Sequence, residues 1–546
     1  MIQVHLKTTE FEYDIHSLVK AFFPGKDVFL FSDEDEENRK KRVAQTLAEE
    51  ASVPELTIEI AVGEKEVAFR MEGSNAPKEN SDTLAENLTS PVSETYPLSN
   101  QKLDADQKTD AVRNTDTGKK SDAGKDIAAP QNPGDRKNAL KRALYTFLAK
   151  ATGRTLPWGT LTGIRPTKIP LSLLDAGKTE EEIRNHMQET YLCSAEKTDL
   201  SISIAKREQA LLSQLDCAAG YSLYIGIPFC PSTCLYCSFT SYPIASHKTR
   251  VDAYLDALEK ELDDTAVRFA KKKLQTIYIG GGTPTTLTPS QLDRLIRKIK
   301  CSFDLSYLKE FTVEAGRPDS ITREKLEVLK FHGVNRISIN PQTMKQETLD
   351  LIGRRHTVEQ TIEGFTLARE LGFDNINMDL ILGLPNETVS DVRHTMEVLK
   401  DLKPDNVTVH SLALKRAARL QMFKEDYKDL SIVNTAEQID LTAQYCKEMG
   451  LFPYYLYRQK NMAGNFENVG YASEGKAGLY NILMMEEVQS IVACGAGTVT
   501  KRVWDTPDDD GRTLIERCDN VKDVTQYIAR IDEMIGRKRR LFSPKK

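Results

Sequence analysis

No run of apolar residues in this sequence approaches the roughly 20 that a helix needs to cross a bilayer. Residues 1–7 alternate in polarity and soon lead into acids, so they lack the basic-then-apolar layout of a secretory signal. We therefore expect a cytoplasmic protein without a membrane span, in a compartment where thiols stay reduced.

An excess of charge of one sign is also missing. The formal net charge is -6 over 546 residues, which offers no electrostatic reason for a nucleic acid or an anionic membrane to be the main partner. A hydrophobic fraction of 40% is typical of a soluble globular protein. The length predicts two or three domains, and it leaves the oligomeric state open.

Cysteine is scarce, with nine residues in the whole chain, too few for a disulfide scaffold. Six of them stand alone and are interpreted as buried small residues, as free cysteines usually are: Cys193, Cys217, Cys301, Cys446, Cys494 and Cys518. The other three crowd into eight positions and require a separate explanation.

Aromatic residues are almost absent from residues 74–135, where Tyr96 is the only one. This tract is rich in Ser, Thr, Asn, Asp, Lys and Pro, so it is predicted to be a disordered insertion. It separates a small N-terminal α+β element (1–73) from a helical segment (136–215). A Pro- and Gly-punctuated loop at 158–168 lies in that segment and holds one of the two tryptophans.

From residue 216 to 451, short β-branched runs alternate with amphipathic helical stretches. Six strand–helix units in order predict an α/β fold, a parallel sheet with outer helices rolled into a partial (β/α)6 TIM-like barrel. The expected strands are 223–227, 276–279, 311–313, 336–339, 376–382 and 407–412. Residues 452–546 are expected to form a separate C-terminal α+β segment.

The three clustered cysteines, Cys230, Cys234 and Cys237, directly follow the first predicted strand. Thiolates are the ligands of iron–sulfur clusters, and three of them leave one iron of a four-iron cubane open to a small chelating ligand. Zinc is the alternative metal, although a structural zinc site takes four protein ligands. Tyr236, between the second and third cysteine, would screen the cluster from water.

Other strand ends carry groups suited to a ligand. Glycines at 280–282 follow the second strand and let backbone approach a ligand closely. Glu314, Gln342 and Asp379 follow the third, fourth and fifth strands. Because sites in parallel α/β folds lie at the C-terminal strand ends, these side chains are predicted to share a site with the cysteines.

A Cys-x3-Cys-x2-Cys motif with an aromatic before its last cysteine, after strand one of a β-α repeat, resembles the radical S-adenosylmethionine (SAM) superfamily. The resemblance implies a [4Fe–4S] cluster bound by Cys230, Cys234 and Cys237, whose open iron binds SAM. It also implies an electron donor that reduces the cluster, which then cleaves the sulfonium to a 5′-deoxyadenosyl radical.

Six motifs in order resemble the oxygen-independent coproporphyrinogen III oxidase family, and the N-terminal extension and the 158–168 loop resemble its HemZ-type members. The motifs are Y-I-G-I-P-F-C (224–230), G-G-G-T-P-T (280–285), T-V-E-A (312–315), R-I-S-I-N-P-Q (336–342), G-R-R-H (353–356) and D-L-I-L-G-L-P (379–385). The resemblance implies that the cofactors are bound by Tyr224 and Tyr236 beside the cluster, Gly281, Gly282 and Thr283 at the methionine, Glu314 at its amino group, Gln342, Arg354 and Asp379 at the ribose and carboxylate, and Ala413 at the adenine.

The family's reaction, oxidative decarboxylation of coproporphyrinogen III to protoporphyrinogen IX in haem biosynthesis, is the activity that the resemblance implies. A substrate with four carboxylates should meet basic residues, for which the candidates are Arg165, Lys168, Lys415, Arg416, Arg458 and Lys460. The family's oxidases carry a fourth cysteine where this chain has Phe239, and a histidine where it has Gly226. Two alternatives stay open: a radical SAM methyltransferase that opens the haem ring, and a haem-binding chaperone whose histidine motif corresponds here to residues 480–485.

Overall fold

The computed structural model describes residues 1–8, 10–32, 55–73, 91–98, 133–413, 415, 417–427, 429–459, 466–504, 506 and 513–543. The chain divides into two compact units, one comprising residues 1–163 with 173–202 and the other residues 164–172 with 203–546. No helix in these ranges has the length and apolar character that a bilayer crossing demands.

The first unit contains a five-stranded sheet in the order β2-β1-β3-β4-β5. Strand β1 is parallel to β2 and β3, and the β3–β4 and β4–β5 pairs are antiparallel. The elements up to the second sheet are β1 (Ile2–Leu6), α1 (Glu12–Phe22), β2 (Val28–Ser32), β3 (Leu56–Val62), β4 (Glu66–Gly73), β5 (Val92–Pro97), α2 (Pro133–Thr152), α3 (Lys168–Asp175), α4 (Glu180–Tyr191) and α5 (Ala195–Leu212).

The core of this unit is formed by side chains that alternate between buried and exposed along the strands. In β4, Val67, Phe69 and Met71 are buried and their sequence neighbours are exposed, as expected for a strand with one covered face. Helix α2 covers that face, and the rings of Phe69 and Phe147 stack with centroids 5.2 Å apart. The predicted α+β character of the N-terminal element is therefore what the described residues show.

Strand β5 lies inside the tract predicted to be disordered, and for Val92–Pro97 that prediction was wrong. The strand pairs antiparallel with β4 from Met71 to Glu66, and Tyr96 packs on the core. A prediction from composition underestimates the order of such a segment, because it does not include the backbone hydrogen-bond partners that the free edge of β4 supplies. The predicted tract also includes the start of α2 at Pro133, while residues 74–90 and 99–132 lie outside the described residues.

The second unit is built on an 11-stranded sheet in the order β14-β15-β13-β12-β11-β10-β9-β6-β16-β17-β18. Its elements are β6 (Gly220–Ile227), β7 (Phe229–Cys230), β8 (Tyr242–Pro243), α6 (Val251–Phe269), β9 (Lys273–Gly281), α7 (Pro289–Ser302), β10 (Glu310–Glu314), α8 (Arg323–Phe331), β11 (Arg336–Ser338), α9 (Gln346–Leu351), α10 (Val358–Glu370), β12 (Ile376–Leu382), α11 (Val389–Leu402), β13 (Asn406–Ser411), α12 (Arg419–Met422), α13 (Ala436–Glu448), β14 (Phe452–Tyr457), β15 (Asn468–Ala472), α14 (Leu479–Glu486), β16 (Ser490–Cys494), β17 (Val499–Val503), β18 (Ile515–Asp519), α15 (Val524–Ala529) and α16 (Ile531–Leu541).

The six predicted parallel strands are confirmed as β6, β9, β10, β11, β12 and β13, each beside its predecessor. Three of the helices between them, α7, α10 and α11, begin at a capping box, as does α13 after β13. Thr288, Thr357, Thr388 and Thr435 each accept a hydrogen bond from the backbone three residues on, and the side chain there bonds back to the threonine N–H. Two otherwise unpaired N–H groups are satisfied at each helix start.

The C-terminal segment, predicted to be separate, belongs to the same sheet and the same compact unit. Strand β16 is parallel to β6, and β15 is antiparallel to β13. Strands β15 and β16 of this segment thus pair with the two edges of the six-strand core, whose unpaired N–H and C=O groups would otherwise need other partners.

Candidate functional site

The cysteine loop begins where β6 ends and is held by backbone hydrogen bonds from distant parts of the chain. Leu235 N donates to Ile352 O at 3.0 Å, and Leu420 N donates to Leu235 O at 3.1 Å. Strand β7, which contains Cys230, pairs with β8. The loop after β6 is therefore held between the end of α9, which follows β11, and helix α12, which follows β13.

The three thiols lie near one another in this loop. Cys234 is 8% exposed, and Cys230 and Cys237 are half-buried. Burial, with smaller effects of the other two sulfurs, raises the pKa of Cys230 to about 11, and burial also raises that of Cys237. These thiols must lose their protons when they bind a metal.

The glycine turn after β9 packs directly against the cysteine loop. Gly282 N donates to Ile227 O at 2.8 Å, and Thr283 N donates to Phe229 O at 2.7 Å. A Cβ on Gly282 would lie 2.6 Å from Phe229 O, so only glycine fits. Gly281 has a φ of 101°, which also favours glycine. The hydroxyl of Thr283 donates to Cys230 Sγ at 3.4 Å.

Glu314 ends β10 and faces the same glycine turn. Tyr278 Oη donates to its carboxylate at 2.6 Å, and a Cβ on Gly280 would lie 2.9 Å from its Cδ. Burial raises the pKa of Glu314 to about 7, partly offset by the Tyr278 hydrogen bond. A carboxylate held this way is suited to a cationic ligand, because an opposite charge would favour its ionised form.

Arg354 is buried, and most of its guanidinium is already engaged. Nη1 donates to Tyr236 Oη at 3.2 Å, and Nη2 donates to Gly316 O at 2.8 Å and Asn340 O at 2.5 Å. Nε has no hydrogen-bond partner among the described residues. For Arg354 to bind a carboxylate through two N–H groups, as its predicted place at the SAM carboxylate would allow, these bonds would have to be exchanged.

Gln342 adopts a left-handed backbone with a φ of 70°, a conformation that costs energy outside glycine and asparagine. Its N–H donates to Asp379 O at 2.9 Å. Its Oε1 is buried and has no partner within the part of the chain that the structure describes. A buried acceptor without a partner is a group that a bound ligand could satisfy.

Asp379, on β12, is oriented by two neighbours. Asn377 Nδ2 donates to Oδ1 at 2.7 Å, and His410 Nε2 lies 3.8 Å from Oδ2. Burial raises the pKa of Asp379, but His410 and Asn377 together hold it below its ordinary value. Tyr457 Oη lies 3.3 Å from the other ring nitrogen of His410.

The remaining predicted cofactor residues lie in the same strand-end region. Tyr224 stacks with Tyr278 and Tyr480, at centroid distances of 6.0 Å each. Tyr236 reaches Arg354, as described above. Ala413 is half-buried just past the end of β13.

Four residues that contact the predicted site residues were not predicted from the sequence: Tyr278, Arg317, His410 and Tyr480. Tyr278 lies in β9, two residues before the first glycine, so the alternation of side chains along a strand could have predicted that it lies on the same face as the glycine turn. Arg317 stands three residues after Glu314 and contacts a cysteine sulfur. His410 and Tyr480 carry no local signal, since their partners are distant in sequence.

The candidate substrate-binding basic residues have different environments. Arg165 is not free, because it donates to Met485 O and, at 2.7 Å, to Glu487. Arg458 is 4% exposed. Lys415 is exposed, and its Nζ lies 5.8 Å from the ring centroid of Phe239, two residues past Cys237. Lys168 is exposed at the start of α3, while Arg416 and Lys460 lie outside the described residues.

These residues fit the cofactors expected from the sequence. Three thiols stand in one loop close enough to affect one another's charge, and the nearby glycine turn, carboxylates and buried polar atoms suit a small zwitterion. Within the described ranges, no group of three or more His, Cys, Asp or Glu side chains is arranged to hold a metal ion. In a cubane each cysteine binds a different iron, so its ligands need not meet at one point.

Comparison with known proteins gives three findings. Residues 224–399 match the model of the radical SAM superfamily. The oxygen-independent coproporphyrinogen-III oxidase-like protein HemZ of Bacillus subtilis is 42% identical over 406 residues, which is 74% of this chain and 80% of that protein. The heme chaperone HemW of Bacillus subtilis is 43% identical over 198 residues, 36% of this chain and 51% of that protein.

A solved structure of the Escherichia coli coproporphyrinogen III oxidase HemN, described as a radical SAM enzyme, aligns with a TM-score of 0.45 and 24% identity, over 60% of this chain and 73% of that one. The match to HemZ extends well beyond the superfamily core, since 406 residues exceed the 224–399 range. The chain therefore belongs to the radical SAM superfamily and, within it, to the family of oxygen-independent coproporphyrinogen III oxidase-like proteins of HemZ type.

Proposed function

We propose that this protein is a radical SAM oxidoreductase that decarboxylates propionate side chains of coproporphyrinogen III, giving protoporphyrinogen IX. Superfamily membership implies a [4Fe–4S] cluster and SAM as cofactors. The observation that carries the proposal is the meeting of three thiols with the glycine turn, Glu314, Gln342 and Asp379 at adjoining strand ends.

Cys230, Cys234 and Cys237 would hold the cluster, and Glu314 would accept hydrogen bonds from the SAM amino group. When bound, the two cofactors supply a 5′-deoxyadenosyl radical that takes a hydrogen atom from carbon. The chain contributes binding, orientation and exclusion of water. Tyr278 aims the Glu314 carboxylate, and Arg354 joins Tyr236 to the loops after β10 and β11.

The partial barrel predicted from the sequence is part of this proposal. In a flat sheet, five strand spacings between β6 and β13 would amount to about 24 Å. The loop after β6 is joined by the Leu420–Leu235 hydrogen bond to helix α12, which follows β13, and by the Leu235–Ile352 bond to the end of α9, which follows β11. Curling of the sheet would bring these strand ends closer together than in a flat sheet and would enclose the cofactors.

The substrate class is suggested by the HemZ relative's name and by basic charge beside the cysteine loop. Lys415 is exposed above Phe239, which is itself 71% exposed. A cation and an apolar ring at this position suit a tetrapyrrole with carboxylates at its edge.

A haem chaperone without turnover is the second candidate, supported by the similarity to HemW. The residues that correspond to the chaperone motif lie in α14, which has no histidine. Tyr480 is 5% exposed and stacks on Tyr278 at 4.6 Å, and Leu479 N donates to Glu310 at 2.5 Å. These contacts favour a supporting role for α14 at the SAM site over a role in binding haem.

We expect the protein, reconstituted without oxygen, to convert coproporphyrinogen III to a vinyl product. The assay contains SAM, a one-electron reductant and an added electron acceptor, and it measures the porphyrin product, carbon dioxide and 5′-deoxyadenosine. The Cys234→Ser variant, which should not hold the cluster, is the negative control. An opened tetrapyrrole from haem would favour a methyltransferase, and tight haem uptake without 5′-deoxyadenosine would favour a chaperone; either would refute the decarboxylation.

SAM affinity should depend on pH through Glu314. Because its pKa is raised to about 7, the carboxyl is neutral below that pH and cannot offset the ligand's ammonium charge. We expect the SAM dissociation constant to rise by up to about tenfold for each pH unit below the pKa, measured by equilibrium dialysis. Glu314→Gln should bind weakly at every pH.

The matched control is Glu387→Gln. Burial also raises the pKa of Glu387 to about 7, and its carboxylate accepts a 2.5 Å hydrogen bond from Thr343. This variant should keep the pH dependence of the wild type. A wild-type affinity that stays constant across this range would contradict the assignment of Glu314.

A further inference from the structure

Arg317 is a buried arginine beside the cysteine loop that the cofactor assignments above do not use. It follows Glu314 by three residues and is 3% exposed. Its Nη1 lies 3.6 Å from Cys234 Sγ and donates to Ser232 O at 3.3 Å. Its Nη2 donates to the Ser232 hydroxyl at 3.1 Å.

The direction of this guanidinium is set by Asp319. Nε donates to Oδ1 at 3.1 Å, and Nη2 donates to Oδ2 at 2.9 Å, so the carboxylate holds the outer edge of the fork. The Asp319 side chain is 18% exposed and that of Arg317 4%. Arg317 thus points its remaining edge at a thiol ligand, with a counter-charge on the far side.

We propose that the Arg317–Asp319 pair sets the reduction potential of the iron–sulfur cluster, with Arg317 stabilising the reduced form through Cys234 and Asp319 moderating that effect. This inference rests on the proposed cluster at Cys230, Cys234 and Cys237. Arg317 is a positioning residue here, since it acts on the cluster through a ligand sulfur.

The redox step is a one-electron reduction of [4Fe–4S]2+ to [4Fe–4S]1+, with the electron supplied by an external one-electron reductant and no change in bonds or protons. The reduced cluster carries one more negative charge, which spreads onto its thiolate ligands. Hydrogen bonds to the sulfurs and nearby charge are among the factors that set cluster potentials. A buried cation next to Cys234 therefore favours reduction, and the partly exposed carboxylate behind it opposes reduction.

The two partners should consequently shift the potential in opposite directions. We expect Arg317→Gln to lower the equilibrium constant for cluster reduction at least tenfold. For a one-electron couple this corresponds to a fall of about 59 mV in the reduction potential. Asp319→Asn should raise the potential, because the guanidinium charge is then uncompensated. Arg317→Lys, which keeps the charge, should lie between Arg317→Gln and the wild type.

The experiment is a reductive titration of the reconstituted protein without SAM, followed by electron paramagnetic resonance, with iron and sulfide measured on every sample. Arg184→Gln is the matched control, since Arg184 makes a similar forked contact with Asp199 on the exposed surface. Its potential should equal that of the wild type.

Opposite shifts for Arg317→Gln and Asp319→Asn support the proposal. Unchanged potentials, or shifts of the same sign, overturn it and reduce the pair to a structural tie on the cysteine loop. If Arg317→Gln does not bind iron, the test uses Arg317→Lys and Asp319→Asn instead. Shifts of the potential in opposite directions again support the proposal, and unchanged potentials or shifts of the same sign overturn it. A wild type without an iron–sulfur signal would refute the proposed cofactor itself, an outcome distinct from a normal cluster that ignores Arg317.

Discussion

Cys234→Ser protein is expected to lose nearly all of its iron and sulfide after reconstitution and to form no detectable 5′-deoxyadenosine. A serine hydroxyl stays protonated where a thiol can ionise, and iron–sulfur clusters need thiolates. Cys234 is the most buried of the three cysteines and the one that Arg317 contacts. Iron and sulfide assays together with anaerobic SAM cleavage measure the effect.

Two cysteines elsewhere in the chain provide controls. Cys301 is exposed at the end of α7, and Cys446 is buried in α13. Cys301→Ser and Cys446→Ser should keep the wild-type iron content and rate of SAM cleavage. Full iron content in Cys234→Ser, or zinc in place of iron in the wild type, would show that the proposed cluster is wrong.

Glu261→Ala is expected to lower the free energy of unfolding by about 3–5 kcal/mol, because it leaves the buried Lys538 ammonium without its counter-charge. The Glu261 carboxylate accepts hydrogen bonds from Gly495 N at 2.8 Å, Asn520 Nδ2 at 2.8 Å, Tyr527 Oη at 2.5 Å and Lys538 Nζ at 2.9 Å. Four C-terminal groups therefore meet on one carboxylate of α6. Urea-induced unfolding of the apoprotein, followed by circular dichroism, measures the loss.

Glu259, two residues earlier in α6, serves as the matched control. Its carboxylate pairs with Arg294 at 2.7 Å but is 21% exposed, so Glu259→Ala should cost no more than about 1 kcal/mol. If both variants lost the same small amount, the Glu261 network would not be what holds the C-terminal helices to the core. A preserved iron content in folded Glu261→Ala protein would separate its stability role from the cofactor site.

The six parallel strands and the position of the cysteine loop were predictable because their signals are local. A buried parallel strand is a short, mainly apolar run, as in β12, where five of the seven residues from Ile376 to Leu382 are apolar. The thiol spacing lies within eight residues, so no long-range information was needed to find it.

The roles of Arg354 and Arg165 could not be read in the same way. The acceptors for Arg354 come from three other loops, at Tyr236, Gly316 and Asn340. Those for Arg165 lie more than 300 residues away, at Met485 and Glu487. A guanidinium donates hydrogen bonds to the acceptors that tertiary packing brings near it, and the neighbouring sequence does not predict which acceptors these are.

By itself, the sequence determined the strand–helix repeat, the trio of thiols and the polar groups at the strand ends, since periodicity and residue chemistry are properties of neighbouring residues. Only the tertiary structure decided that the C-terminal strands pair with both edges of the repeat, that β5 completes the N-terminal sheet, and that Arg317 points at Cys234. Each of these depends on which unpaired backbone edge or buried charge finds a partner far along the chain. Such pairings are selected when the core closes and excludes water, because an unmatched polar group is costly only then.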